Sequence, residues 1–342
     1  MVNAQTFLSW LRRTLLGDSL MIGLKNIQDA RKAIAPFVRS TPLVPSQFLS
    51  DFCGGDVFLK LENLQITHSF KIRGAFNRLL HMSLEEKTRG IVTASAGNHG
   101  QAVAFAARKL NFSAKIVIPM STPKIKIDGI KKYGVGLVLF GDIYDEAEQK
   151  AKDLARKDGL VFVSPYNDEL IIAGHGTLGL EIIEALPNVD TVIVPVGGGG
   201  LISGISIAIK SIKPNVQIIG VQSEASPVMY ESLKAGKIVD AQKSKAKSIA
   251  EGLSGGIEKS SITFKIVQEC VDTILLVEEE TIRRAVYLLW NSEKQVVEGS
   301  GAAAIAPILE NRHLFGGKTV VAVITGGNIE DKLFQSILAS EH

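Results

Sequence analysis

The stretch TVIVPVGGGGL, Thr191–Leu201, decides the fold. TVIVPV (Thr191–Val196) is apolar at nearly every position and rich in β-branched residues. That is the mark of a strand buried on both faces, as in a parallel sheet. Four glycines break the run, and helical apolar spacing resumes from Leu201 to Lys210. Strand, tight turn and helix together form the repeating half of an α/β protein. Glycines at 197–200 also let consecutive amides face one centre at the start of a helix, an arrangement that suits a phosphate. They could equally serve only tight strand–helix packing. Neither GxGxxG with an acidic ribose partner nor a P-loop lysine accompanies them.

The same alternation extends in both directions. Downstream, VQIIGV (Val216–Val221) reads as the next strand, Glu278–Trp290 as a helix and VVAVI (Val320–Ile324) as a last buried strand. Upstream lie a helix ending at Leu186 and strands at Leu160–Val163, Gly136–Phe140, Ala114–Pro119, Gly90–Thr93 and Val57–Leu61. Helices are expected over Lys25–Ile34, Gln101–Leu110, Lys124–Tyr133 and Tyr144–Lys157. With 342 residues, more than one parallel sheet is expected, because a single core stops growing beyond roughly 250 residues. The fold class is therefore α/β. Lys237–Lys247 is polar, basic and without apolar periodicity, and reads as a surface loop.

Composition narrows the function. A charged content of 21% and a net charge of +3, with no basic stripe carrying interleaved aromatics, argue against nucleic acid. Cys53 and Cys270 are isolated, so a reducing compartment fits better than a disulfide framework. No apolar run reaches the roughly 18–20 residues of a spanning helix, and the histidines lack metal-ligand spacing. Residues 1–20 read as a weakly amphipathic extension, with Met21 an alternative start, and the cytoplasm as the expected location.

HSFKIRGA, His68–Ala75, places a lysine directly after an aromatic residue at a helix start. Ser69 is the expected N-cap, and Lys71 falls in the first turn, where the helix dipole favours anions over cations. A long-stemmed amine there makes sense as a reagent aimed at something bound in front of the helix. SAGNHG, Ser95–Gly100, is a second strand–helix turn whose amides and Ser95 and Asn98 side chains suit a carboxylate or hydroxyl. His99 fits acid–base chemistry and a structural role equally, and is taken as a binding residue. TGGN, Thr325–Asn328, ends a buried strand at its carboxyl edge, where parallel sheets bind ligands. Glu298–Ala302 (EGSGA) precedes another helix and is expected to support the same crevice. An amine, a phosphate cup and a neutral hydroxyl at a strand end describe a site for pyridoxal 5'-phosphate.

In ENLQITHSFKIRGAFN, TASAGNHGQAVA, PVGGGGLISG, VEGSGAAA and ITGGN, taken in this order, the chain resembles the fold-type II pyridoxal-phosphate enzymes. The likeness is to the catabolic-type threonine dehydratases and their relative serine racemase, and it runs from about Ile27 to Asp331. The resemblance implies two parallel-sheet α/β domains: a large one of residues 21–59 plus 161–342 and a small one of 60–160, with the cofactor between them. It makes Lys71 the lysine that carries the cofactor aldehyde and Phe70 its neighbour beside the ring. Asn98 is then the contact of the ring hydroxyl, and Gly197, Gly198, Gly199, Gly200 and Leu201 form the phosphate site. Thr325 becomes the partner of the ring nitrogen. Ser95, Ala96, Asn98 and His99 would receive the substrate carboxylate.

The implied reaction removes the β-hydroxyl of L-threonine or L-serine, giving 2-oxobutanoate or pyruvate and ammonia. Alternatives on the same scaffold are serine racemase and 3-hydroxyaspartate dehydratase. An alternative from another class is a non-catalytic phosphate-ligand binding protein. The resemblance further implies a homodimer or homotetramer, leaves open a nucleotide effector such as AMP, and indicates no C-terminal regulatory domain. Ala96 stands where the racemase has a serine base, which argues against proton exchange on both faces. Gln222, Ser226 and Val228 stand at the racemase's cation positions, so no metal is expected. His68 and His175 replace a usual glycine and glutamine, and Thr325 a usual serine.

Overall fold

The computed structural model describes residues 22–240 and 248–340. The expected extension over residues 1–20 and positions 241–247 of the expected basic loop lie outside them; Lys237–Asp240 are irregular. The helices, in chain order, are α1 (Leu24–Ile34), α2 (Gln47–Cys53), α3 (Lys71–Leu80), α4 (Leu84–Arg89), α5 (Asn98–Leu110), α6 (Lys124–Lys131), α7 (Tyr144–Asp158) and α8 (Glu169–Ala185). They continue as α9 (Gly200–Ile212), α10 (Val228–Ala235), α11 (Ile262–Cys270), α12 (Glu279–Asn291), α13 (Gly299–Ala302), α14 (Ala306–Glu310) and α15 (Asp331–Ser340).

The strands form two sheets. β1 (Leu43–Pro45), β2 (Asp56–Leu61), β7 (Thr191–Pro195), β8 (Gln217–Ser223), β9 (Thr273–Val277) and β10 (Thr319–Ile324) make a six-stranded sheet in the order β1-β2-β10-β7-β8-β9. All its pairings are parallel except β1 with β2. β3 (Ile91–Ala94), β4 (Ala114–Ile118), β5 (Gly136–Leu139) and β6 (Val161–Phe162) make an all-parallel sheet ordered β5-β4-β3-β6. The alternation read from the sequence thus gives parallel sheets, two of them. β1 and β9 were not among the expected strands. β1 is three residues long and ends in Pro45, at a sheet edge where a missing N–H is tolerated.

Both faces of the larger sheet are buried, as the unbroken apolar runs require. Along β10, Val320, Ala322 and Ile324 enter one core while Val321 and Val323 enter the other, the period-two alternation of a strand. β7 does the same, with Ile193 on the first side and Val192 and Val194 on the second. In the smaller sheet Ile91, Ile116 and Ile118 face one core, and Val92, Ala94 and Val117 the other. Strands buried this way direct their carboxyl ends, and the turns that follow, toward a common crevice.

The start of α3 differs from expectation. Ser69 is not its N-cap: its backbone pairs with Gly326 in an isolated antiparallel bridge, and Phe70 holds the cap position. The Ser69 hydroxyl is buried and has no hydrogen-bond partner among the described residues. The bridge pulls residue 69 out of cap geometry, because a backbone pairing to the end of β10 wins over a local side-chain cap.

Candidate active site

The segment before α3 is laid along the end of β10. Phe70 N–H donates to Thr325 O at 3.1 Å, and Gly327 N–H to His68 O at 2.9 Å. This fixes where α3 begins and so where Lys71 emerges. The Lys71 ammonium donates to Pro165 O at 2.9 Å. Burial pushes its pKa down to about 8, while the nearby Glu298 carboxyl acts in the opposite direction. An amine held near this value is roughly a tenth neutral at pH 7, whereas an exposed lysine is neutral in well under about a thousandth of molecules. The Phe70 ring meets the edge of His175, centroids 4.8 Å apart.

The glycine turn lies beside the same segment that receives the lysine. A Cβ on Gly198 would come within 2.5 Å of the Tyr166 ring, and one on Gly200 within 3.0 Å of the Tyr166 backbone. Gly199 sits at φ +88°, in the left-handed region that favours glycine, and Thr263 Oγ1 donates to Gly198 O at 2.7 Å. Side chains at these positions are excluded by packing. The amides of residues 197–201 donate to no protein acceptor among the described residues. Leu201 itself is buried in the core, so it adds an amide and not a side chain to the turn. A row of free amides at the N-terminus of a 13-residue helix is a donor set for a phosphate.

The second turn supplies Asn98 at the start of α5. Its Nδ2 donates to Glu298 at 2.6 Å, and its Oδ1 accepts from Asn328 Nδ2 at 2.7 Å. Ser95 Oγ accepts from Gly97 N–H within its own turn, and Ala96 packs against the small-sheet core. His99 is buried and its Nε2 contacts Val163 O at 3.2 Å. Burial, with Lys71 nearby, pushes its pKa down to about 3, so the ring is neutral. Its ring is thus engaged with backbone, and only its amide, in the first turn of α5, faces the helix start. Thr325 is buried at the end of β10.

Lys71, Phe70 and Thr325 therefore meet at one strand end. Asn98 joins them through Glu298 and Asn328, and the glycine turn through Pro165 and Tyr166. Sequence reading passed over Pro165, Tyr166 and Asn328 as individual residues, and treated Glu298 only as part of a supporting motif. Pro165 and Tyr166 carry no local signal, since their place follows from the chain crossing between the sheets. Glu298 and Asn328 could have been found as the polar residues of the VEGSG and TGGN motifs. Among the described residues no group of three or more His, Cys, Asp or Glu side chains could hold a metal ion.

A buried amine of lowered pKa next to unpartnered helix-start amides fits an aldehyde with a phosphate tail, the chemistry of pyridoxal phosphate. The family model described as pyridoxal-phosphate dependent enzyme matches residues 34–326. An L-threonine ammonia-lyase of Thermotoga maritima is 46% identical over 320 residues, which is 93% of this chain and 78% of that protein. A catabolic L-threonine dehydratase, TdcB, of Staphylococcus aureus is 42% identical over 314 residues, 91% of this chain and 90% of that one. The structure of maize serine racemase superposes with a TM-score of 0.87 at 32% identity, covering 94% of this chain and 98% of the other.

Proposed function

The chain belongs to the pyridoxal-phosphate dependent enzymes, and from that premise we propose that it is an ammonia-lyase acting on L-threonine or L-serine. It removes the β-hydroxyl and the amino group, and releases 2-oxobutanoate or pyruvate and ammonia. The observation that carries the reading is the Lys71 amine, buried, lowered in pKa and bonded to Pro165 O beside the glycine turn. The names and identities of the bacterial relatives support the substrate class.

Pyridoxal phosphate, when bound, supplies an aldehyde that joins an amine and a ring that draws electrons from the α-carbon. Lys71 would hold that aldehyde, and its amine, when free, would be the base for the proton at the α-carbon. Its lowered pKa keeps it ready to accept a proton. The amides of Gly197, Gly198, Gly199, Gly200 and Leu201 would bind the phosphate, with Phe70 beside the ring. Asn98 would bind the ring hydroxyl and Thr325 the ring nitrogen. A threonine hydroxyl carries no charge, so it does not hold a proton on that nitrogen as a carboxylate would. Ser95, Ala96, Asn98 and His99 form the turn that receives the substrate carboxylate. We assign residues 21–59 and 161–342 to a large domain and 60–160 to a small one, with a homodimer or homotetramer in the cytoplasm and AMP as the effector to test. Among the described residues no helix is long and apolar enough to cross a membrane.

Likeness to the maize racemase favours a second reading, serine racemase. Ala96 weighs against it, because a methyl group cannot exchange a proton on the opposite face of the substrate. Lys71→Ala tests the main reading. Wild-type protein is expected to show a visible absorbance band, a borohydride-trapped adduct on Lys71 and 2-oxobutanoate from L-threonine, and the variant none of these. Full activity in the variant, or a colourless wild-type protein without adduct, overturns the assignment; chiral analysis of recovered serine separates dehydratase from racemase.

A further inference from the structure

Glu298 is a carboxyl that none of the roles above uses. Its Oε1 accepts from Asn98 Nδ2 at 2.6 Å. The other end of that carboxamide accepts from Asn328 Nδ2 at 2.7 Å, and Asn328 Nδ2 also donates to Thr67 O at 3.0 Å. Asn98 is thereby clamped at both ends, and its amide has one orientation that satisfies both partners. The backbone makes room for this. Glu298 N–H donates to Gly326 O at 3.1 Å, and a Cβ on residue 326 would overlap Glu298 Oε1. A Cβ on Gly301 would in turn come within 2.6 Å of Gly326 O. The glycines of VEGSG and TGGN thus exist as a pair, and they let one carboxyl reach across from β10 and α13 to the start of α5.

We propose that Glu298 is a positioning residue that presets the Asn98 carboxamide for the ring hydroxyl of the cofactor, with a strength that follows its own protonation. The proposal rests on the assignment of Lys71 and Asn98 above and deepens it. Lys71 faces the carboxyl from α3, Lys126 from α6, and Glu251 from the turn before residue 252. Lys126 is itself bonded to Glu251 at 2.7 Å and to Glu330 at 3.3 Å, so its charge is largely spent. Burial pushes the Glu298 carboxyl up to about 7, against the Asn98 hydrogen bond, which lowers it. Ionised, the carboxyl is the stronger acceptor for Asn98 Nδ2; protonated, it holds the amide less firmly.

Two variants, Glu298→Gln and Glu298→Ala, test this with the cofactor-loaded full chain and with cofactor-free protein titrated with pyridoxal phosphate. Glutamine keeps an acceptor for Asn98 and loses the titration; alanine loses both. Glu298→Ala is expected to weaken cofactor affinity by about tenfold or more, the worth of a hydrogen bond to a charged group. Glu298→Gln is expected to stay within about threefold of wild type. The visible band of wild type is expected to shift with a midpoint near pH 7, and this step to vanish in Glu298→Gln. Glu298→Ala binding within about twofold of wild type, Glu298→Gln losing about tenfold, or a step near pH 7 surviving in Glu298→Gln each overturns the proposal. Should alanine prevent folding, the near-isosteric glutamine variant decides alone. Absence of a borohydride-trapped adduct in wild type would instead defeat the lysine assignment, which keeps the two failures apart.

Discussion

His68 stands at φ +56° although it is not glycine, with its N–H on Gln65 O and its carbonyl taking Gly327 N–H. Both bonds hold the left-handed conformation that a Cβ disfavours by about 1–2 kcal/mol. Its side chain is exposed and supplies no compensation. His68→Gly is therefore expected to stabilise the protein by about 0.5–1 kcal/mol, after allowing for the extra freedom of glycine in the unfolded chain. Urea unfolding of both proteins checks this, and a destabilised variant would mean that the imidazole has a structural role. His175 presents the opposite case. Its ring is fully buried beside the Gly200 backbone, and burial holds its pKa well below the usual range. The neutral ring fills the space beside Gly74 and Phe70. Sequence identifies both residues as histidine, but only the surrounding chain says that one is bent and the other sealed.

At the scale of the element, the position of α3 depends on Arg73, two residues after Lys71. Its guanidinium reaches Glu62 at 2.9 Å, Glu181 at 2.6 Å and Thr177 at 3.1 Å, and Lys60 shares Glu181 at 2.5 Å. Burial opposes the charge on Arg73, yet Glu62 and Glu181 overcome it and hold its pKa above the ordinary value. The cluster ties α3 to the end of β2 and to α8. Removing one member of a buried ionic group leaves the others unpaired, so Arg73→Met is expected to cost about 3–5 kcal/mol. Arg73→Lys is expected to recover little, because an ammonium lacks the planar fork that serves both carboxylates. Unfolding midpoints in urea measure both. Within these elements the apolar periods were legible: α5, α8 and the strands other than β1 and β9 fall close to where their spacing puts them. The cluster was not, because nothing local in the sequence links Lys60, Glu62, Arg73 and Glu181 to one another.

Across the whole molecule, several side-chain contacts among the described residues tie the layer around the smaller sheet to the layer around the larger one. They include Asn98 with Glu298 and Asn328, Lys126 with Glu251 and Glu330, and Lys152 with Glu258 at 2.9 Å. The lysine pairs are partly exposed, so each contributes less than about 1 kcal/mol to global stability. Lys126→Ala with Lys152→Ala is accordingly expected to leave the unfolding midpoint nearly unchanged. Hydrogen exchange should nevertheless quicken at residues 95–100 and 325–328, where the two layers meet, since local opening is governed by few contacts. Unchanged exchange at those segments would show that Asn98, Glu298 and Asn328 hold the crevice without them.

Taken alone, the sequence determined the α/β class and the parallel sheets, and it singled out the amine and the glycine turn to which the proposed chemistry is assigned. These rest on local physics: a strand buried on both faces must be apolar throughout, and a turn that offers bare amides must be glycine. Tertiary structure alone decided the environment of the amine. That Pro165 receives Lys71, that Ser69 pairs with Gly326 instead of capping α3, and that Glu298 reaches Asn98 all depend on residues far apart in the chain, 94 positions in the first case and 200 in the last. Burial and hydrogen bonding between such distant segments set the pKa values on which the chemistry depends. No window of sequence contains them.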